Sequence, residues 1–165
     1  ANMLVTNLHQ PAPFYTVSLK DNANKIIPNN IIKATEINEN VTFTVGHECG
    51  ENTCWGTLFV QDKLSPPISC KNKTINCGTS TQADSIGLPI PIGAIATKIN
   101  AYSYTVTNFD ACGVSTLNYS DTYTEYLCDT LYQSQLKRSW TATDGSGNKS
   151  SCSQFIKIKN KTMLE

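Results

Sequence analysis

The chain has 165 residues, which is enough for one large domain or two small ones. Its 13 basic and 13 acidic side chains cancel, and no basic stripe or acidic tail stands out, so nucleic acid and anionic membranes are not expected partners. No apolar run approaches the roughly 18 residues that a transmembrane helix needs, so no membrane insertion is expected.

Short β-strands dominate the first part of the chain. The predicted strands cover residues 14–19, 26–32, 41–45 and 57–60. Val41, Phe43 and Val45 alternate with threonines and share one face. Residues 46–53 predict a turn, so the strands on either side form a hairpin. Pro28 interrupts its strand and favours a bend or a sheet edge there.

A proline-rich joint precedes the second group of strands. Pro66 and Pro67 cannot donate to a β ladder and stiffen the chain, as expected of an inter-domain connection. Further strands are predicted at residues 68–70, 101–106, 115–119, 138–143 and 153–158. Residues 78–93 contain two more prolines and are expected to be looser. Because no apolar helical period lasts ten residues, we predict an all-β protein.

The ends of the two halves match each other. Residues 43–50 align with residues 140–147, each as a strand that enters a glycine-containing turn. With a one-residue gap, Cys54 then aligns with Cys152, Leu58 with Ile156 and Val60 with Ile158. The spacing of about 100 residues is usual for an immunoglobulin-like sandwich. We therefore predict two tandem immunoglobulin-like β-sandwich repeats, at 1–65 (short enough to lack its first strands) and 66–160, and a tail at 161–165 with vector residues.

Several motifs carry a family resemblance. Residues 140–148 (WTATDGSGN), followed by Cys152, resemble the closing signature of hyalin-type repeats. The wider set resembles the tandem repeats of very long surface adhesins of gliding, Bacteroidetes-type bacteria. It comprises residues 52–56 (NTCWG), 61–66 (QDKLSP), 110–113 (DACG) and 117–121 (LNYSD).

This resemblance implies a non-catalytic module of an extracellular cell-surface adhesin, acting as stalk or adhesive segment in attachment or gliding. The expected partners are neighbouring repeats of the same chain and a surface polysaccharide or protein ligand, although the resemblance itself supplies no ligand. The module itself is expected to be a monomer.

Seven cysteines in a chain of low charge favour an oxidising, exported location. Cys49 and Cys54 flank one predicted hairpin turn, so we expect them to form a disulfide. Cys112 and Cys128 lie in turn-rich sequence around one strand and form the next expected pair.

Three cysteines remain, so at least one of them must stay without a partner among the three. Cys70 with Cys77 is the local choice, which leaves Cys152 unpaired. Either of the first two could instead pair with Cys152 if the first and last strands are neighbours. A zinc site, which would recruit Cys49, Cys54, Cys70 and Cys77 with His47, is disfavoured because the tight paired spacings of zinc ligands are missing.

The sequence predicts no enzyme. A general base poised near neutral pH is usually a histidine, and the chain has only His9 and His47. His47 lies in a predicted hairpin turn, where a solvated polar residue is the ordinary explanation. The few scattered carboxylates suggest no pair of the kind that hydrolyses glycosides.

Two kinds of surface site are considered in the second half. Asp144 and Asn148 offer oxygen ligands that could hold calcium, although a loop stabilised by local hydrogen bonds explains them as well. No other cofactor is expected. Ser85 and Thr130 follow aspartates in a pattern that resembles the O-glycosylation motif of the same bacterial phylum.

The alternative function is a carbohydrate-binding module of a secreted multidomain hydrolase. Such a module needs exposed aromatic rings on one face, and the candidates are Tyr102, Tyr104, Tyr119 and Tyr123. Trp55 could also stack on a sugar, whereas Trp140 is expected in the core, on the face that Ala142 continues.

Overall fold

The computed structural model describes residues 14–48, 53–110, 113–127 and 131–161. They form two sheets with very little helix, so the all-β prediction is confirmed. The chain divides into two compact units, Ala1–Asp62 and Lys63–Glu165. This division lies three residues before the end of the first predicted repeat.

The first unit is a three-stranded antiparallel sheet. Its strands are β1 (Tyr15–Lys20), β2 (Asn40–His47) and β3 (Thr53–Phe59), with β2 in the centre. The predicted hairpin is confirmed as β2 and β3. The strand predicted at residues 26–32 is wrong, because Pro28–Asn30 form a 3-10 turn in which Asn29 and Asn30 both have a φ of 55°. A positive φ is incompatible with an extended strand.

A small core lies on one face of this sheet. Leu19, Ile27 and Val41 are buried there. Phe43 packs against them and its ring also covers Gly56, where an added Cβ would come within 2.7 Å of the ring. Only glycine allows the strand that close to the ring. Local packing against a neighbour thus explains the glycine in β3.

The second unit is one six-stranded sheet that curls into a half-barrel. Its strands lie in the order β4-β9-β8-β7-β6-β5, and every neighbouring pair is antiparallel except β4 with β9. The elements are β4 (Lys73–Ile75), α1 (Ala83–Ile86), β5 (Ile95–Asn100), β6 (Ser103–Asp110), β7 (Gly113–Glu125), β8 (Tyr132–Thr143) and β9 (Lys149–Lys159). A single curled sheet does not confirm the finer prediction of two tandem sandwiches.

The segment between β4 and β5 covers one face of the curled sheet. The buried side chains of this face are Tyr104, Val106, Phe109, Leu117, Trp140 and Ala142. Ala83 of α1 is buried against them, and Leu88 and Ile90 pack there as well. Residues 78–93, which the sequence predicted to be looser, therefore close the core. The prediction that Trp140 and Ala142 lie in the core is confirmed.

The beginning of the second unit runs alongside its last strand. Residues 66–75 follow β9 in parallel at a nearly constant offset of 82–84 residues. The contacts join Pro66 to Ser150, Cys70 to Cys152, Lys71 to Gln154, Asn72 to Phe155 and Lys73 to Ile156. Only three of these ten residues form a regular strand, so the strand predicted at 68–70 is wrong.

The two hairpins that the repeat aligns are both present, as β2–β3 and β8–β9. Their registers differ, because Cys54 lies opposite Val45 whereas Cys152 lies opposite Trp140. Cys54 is also exposed while Cys152 is half-buried. The sequence match thus reflects a shared strand–turn–strand pattern without a shared pairing register.

The core of the second unit can be tested on β7. Leu117→Ala deletes a fully buried side chain and should lower the free energy of unfolding by about 2–5 kcal/mol. Val114→Ala on the same strand, where the side chain is 54% exposed, should change it by less than about 0.5 kcal/mol. Urea unfolding followed by tryptophan fluorescence measures both. Equal losses for the two variants would contradict the assigned core.

Candidate functional site

The disulfide in the described residues joins Cys70 to Cys152, with their Cα atoms 5.8 Å apart. The local pairing of Cys70 with Cys77 is therefore wrong, and Cys77 is an exposed free thiol. The physical reason is the parallel course of residues 66–75 and β9, which brings Cys70 beside Cys152. This is the alternative pairing that neighbouring first and last strands allow.

The remaining expected bridges involve residues outside the described part of the chain. Cys112 and Cys128 both lie outside it, so their pairing stays a prediction. Cys49 lies outside it too. Its expected bridge to Cys54, which is exposed, therefore also stays a prediction.

Asp144 and Asn148 meet in the turn between β8 and β9. Oδ1 of Asp144 accepts the backbone N–H groups of Ser146 and Asn148 at 2.9 and 2.8 Å, and Oδ2 accepts the Asn148 side-chain amide at 2.9 Å. Burial, the largest single influence, raises the pKa of Asp144, but these hydrogen bonds together bring it below the ordinary value. The carboxylate thus stabilises the turn itself, and the calcium site suggested for these two residues stays a prediction.

The other candidate residues are dispersed. Ser85 is exposed on α1, whereas Thr130 and His9 lie outside the described residues. His47 ends β2 rather than lying in the turn, and its ring contacts Phe14 and Tyr15 with centroids 6.3 and 5.0 Å away. Aromatic packing at a strand end is therefore its structural role.

A polar pocket of about 230 Å³ lies in the second unit, where the β5–β6 turn meets strands β7 and β8. We call it the tyrosine–arginine pocket. It is lined by Thr81, Gln82, Lys98, Ala101, Tyr102, Tyr119, Asp121 and Arg138. A larger cleft of about 400 Å³ beside residues 86–92 is walled mainly by isoleucine, leucine and proline side chains. The smaller pocket has more of the polar groups that orient a ligand.

Arg138 forms the floor of this site and is only 1% exposed. It lies opposite Asp121 in the pairing of β7 with β8. Nε and Nη2 donate to the two carboxylate oxygens of Asp121, both at 2.8 Å, and Nη2 also donates to the carbonyl of Thr81 at 2.7 Å. A buried guanidinium requires such partners, because an unpaired charge inside a protein is very costly.

Aromatic rings surround the guanidinium. Its carbon atom lies 4.3 Å from the centre of the Tyr119 ring and 5.9 Å from that of Trp140. Tyr119 in turn packs on Trp140, with ring centroids 4.8 Å apart, and meets Tyr102 edge-on at 5.4 Å. These contacts favour the cation and fix the planes of the rings.

The β5–β6 turn is held against β7 by three hydrogen bonds. The Tyr119 hydroxyl donates to the Ala101 carbonyl at 2.8 Å, and the Tyr119 backbone N–H donates to the Tyr102 carbonyl at 3.0 Å. The Ser103 hydroxyl donates to the side-chain oxygen of Asn118 at 2.6 Å. Tyr102 consequently stands at the rim of the pocket with 59% of its surface exposed.

Asp84 links the covering segment to the sheet beside the pocket. Lys98 and the Tyr104 hydroxyl each donate to one of its oxygens at 2.8 Å. The hydrogen bond from Lys98, and then that from Tyr104, lower the pKa of Asp84. Burial, followed by the bond to Asp84, raises the pKa of Tyr104 well above the ordinary value, and burial also raises the pKa of Tyr119.

The tyrosines named as sugar-stacking candidates differ in their exposure and in their distance from the pocket. Tyr102 and Tyr119 both line the pocket, while Tyr104 is buried beneath the covering segment. Tyr123 is exposed on β7 and is not among the lining residues. Trp55 is 75% exposed and belongs to the first unit.

Sequence reasoning missed Arg138, although a signal for it existed. It is the only arginine in the chain. It also lies in phase with Leu136, Trp140 and Ala142, which occupy the buried face of β8. A charged residue in step with core positions points to a buried polar site.

Comparison with known proteins adds no family. No protein-family model matches the chain, and no curated protein shows significant similarity to it. The resemblance to hyalin-type and adhesin repeats therefore stays a prediction from the motifs. Within the described ranges, no helix has the length and apolar character needed to cross a bilayer.

The raised pKa of Tyr104 can be checked by alkaline titration. Its phenol should ionise later than an ordinary tyrosine, above pH ~10, because burial and Asp84 disfavour the phenolate. The stability that this phenol contributes is complete below that pH and is lost as the pH rises toward the folded-state pKa. Tyr104→Phe should remove part of the latest rise in tyrosinate absorbance.

The unfolded protein is the control for this titration. In concentrated urea, wild type and Tyr104→Phe should differ in amplitude alone, since the buried environment is gone. If the variant instead loses absorbance change from the earliest part of the folded-state curve, the assignment of Tyr104 to the protected position is wrong.

Proposed function

We propose that this chain is a non-catalytic, tension-resistant module of an exported cell-surface adhesin, built from immunoglobulin-like repeats and used as a stalk or adhesive segment in attachment or gliding. The observation that carries the proposal is the disulfide between Cys70 and Cys152, which joins the first and last segments of the second unit. It supports two properties that such a module needs, namely an oxidising location and resistance to tension.

The first source of resistance is the direction of the terminal strands. β4 and β9 are parallel, so chain entering at residue 66 and chain leaving after Lys159 emerge at opposite ends of the pair. With the disulfide reduced, tension along the chain would load their hydrogen bonds in shear, because β4 follows Cys70 and enters the loaded path only then. Bonds loaded side by side must break together, whereas a hairpin pulled from one end opens one bond at a time.

The second source is covalent. Cys70 and Cys152 are separated by 82 positions in the sequence. Tension applied across the unit would pass from Cys70 through the sulfur–sulfur bond to Cys152. The chain between them, which contains β4 to β8, stays outside the loaded path while the bond is intact and would keep its fold while the ends are pulled.

The bond also supports an exported location. Structural disulfides persist in oxidising compartments and are rare where glutathione keeps thiols reduced. By closing a loop of this length, the bond should contribute about 2–5 kcal/mol to stability. Low charge and polar, uncharged strands fit the same surroundings.

A carbohydrate-binding module of a secreted hydrolase is the second candidate. The tyrosine–arginine pocket favours it, because aromatic rings beside paired polar groups suit a sugar. The parent gene separates the two candidates: many further copies of this unit favour the adhesin, and a fused catalytic domain favours the module.

Single-molecule stretching of the chain tests the load path. Unfolding the oxidised second unit should release only the short segments outside the loop. With the bond reduced, the same event should release roughly 270–300 Å more, because 82 residues can then extend at about 3.3–3.6 Å each.

The control is the double variant Cys70→Ser/Cys152→Ser, which should behave like the reduced protein whatever the redox conditions. A contour length that is the same in oxidised and reduced wild type would contradict the proposed load path. Quantification of thiols in the native exported protein gives a second check, and seven free thiols would contradict export to an oxidising compartment.

A further inference from the structure

Arg138, which lines the tyrosine–arginine pocket, has accessible partners of its own that define what the pocket can bind. Arg138 is 1% exposed, and its Nε and Nη2 are occupied by Asp121 and Thr81. Its Nη1 is buried and has no hydrogen-bond partner among the described residues. A buried donor without a partner is costly, and native proteins usually satisfy it with protein, water or ligand. This nitrogen is inaccessible from the pocket, so the polar groups that a ligand can reach there are the half-buried carboxylate of Asp121 and the exposed amide of Gln82.

The charges around the pocket are balanced. Arg138 is paired with Asp121 and Lys98 with Asp84, each at 2.8 Å. The two cations and two anions cancel, so the pocket has no net charge with which to attract an acid or a base. It offers donors and acceptors side by side, with Asp121 still 26% exposed at its side chain. Hydroxyl groups can use both, because each donates one hydrogen bond and accepts others.

The rim supplies an apolar surface. Tyr102 has 59% of its surface exposed, and its edge-on contact with Tyr119 leaves ring surface open to solvent. An exposed ring fixed at the mouth of a polar pocket suits a ligand with one apolar face and a polar edge. The volume of about 230 Å³ is below the usual range for drug-sized ligands and suits a single ring.

We propose that the tyrosine–arginine pocket binds a neutral sugar, one hexose unit of a glycan, stacked on Tyr102 with its hydroxyl groups toward Asp121 and Gln82. This specifies the adhesive role within the proposed function and rests on it for its biological setting. The paired charges are the reason for a neutral sugar rather than a uronic acid, since no cation in the pocket is left to neutralise a carboxylate.

Titration of the isotope-labelled, full chain with methyl hexosides, followed by NMR, tests this proposal. Neutral hexosides should shift the resonances of Tyr102, Tyr119 and the Arg138 side chain at millimolar concentrations, while the matching hexuronates bind more weakly. Tyr102→Ala should weaken binding about tenfold or more. The matched control is Tyr123→Ala, an exposed tyrosine outside the lining, which should bind like wild type.

A second variant covers the case in which Tyr102→Ala disturbs the β5–β6 turn. Gln82→Ala removes an exposed lining amide that lies outside the sheet, and it should also weaken binding. The proposal is overturned if no hexoside shifts these resonances, or if hexuronates bind more tightly than the neutral sugars. Either outcome leaves the stretching experiment unaffected, so failure of the sugar site is distinguishable from failure of the proposed resistance to tension.

Discussion

The buried guanidinium of Arg138 is the constraint on which most of the second unit depends. A charge that is 1% exposed must be neutralised and hydrogen-bonded inside the fold. Asp121 can neutralise the charge only if β7 pairs with β8 in the observed register. The Thr81 carbonyl can accept its hydrogen bond only if the covering segment lies across that face. Tyr119 completes the arrangement by presenting its ring to the cation. The contacts of this one side chain thus depend on the strand register and on the position of the covering segment, and the same side chain lines the pocket.

The disulfide and Arg138 connect different parts of this unit. Cys70 and Cys152 connect its first segment to its last strand, while Arg138 connects the middle strands to the covering segment between β4 and β5. The covering segment is therefore tied at its start by a covalent bond and at Thr81 by a hydrogen bond. A module built in this way can bear tension through the disulfide and β9 while the pocket stays in the part that is not stretched.

The sequence predicted the elements whose cause is local. Alternating side chains indicated β2, β8 and β9, and the phase of Trp140 with Ala142 indicated the core. Features that depend on topology were missed or left open. The pairing of Cys70 with Cys152 requires a parallel contact between distant segments, and β4 is too short to show a period. Tyr102 looked like a strand residue, but it lies in a two-residue turn and so reaches the pocket rim.

Amide hydrogen exchange in an Arg138→Lys variant tests the central role of this residue most directly. Lysine keeps the charge but cannot donate to both oxygens of Asp121 and to Thr81 in one plane. Exchange should then be about tenfold faster or more at the backbone N–H groups of Ser85, Ile86 and Gly87, which are hydrogen-bonded within the covering segment. The exchange rates of the N–H groups of β2 in the first unit should be unchanged. If the N–H groups of the covering segment exchange in the variant at wild-type rates, Arg138 does not hold this segment in place.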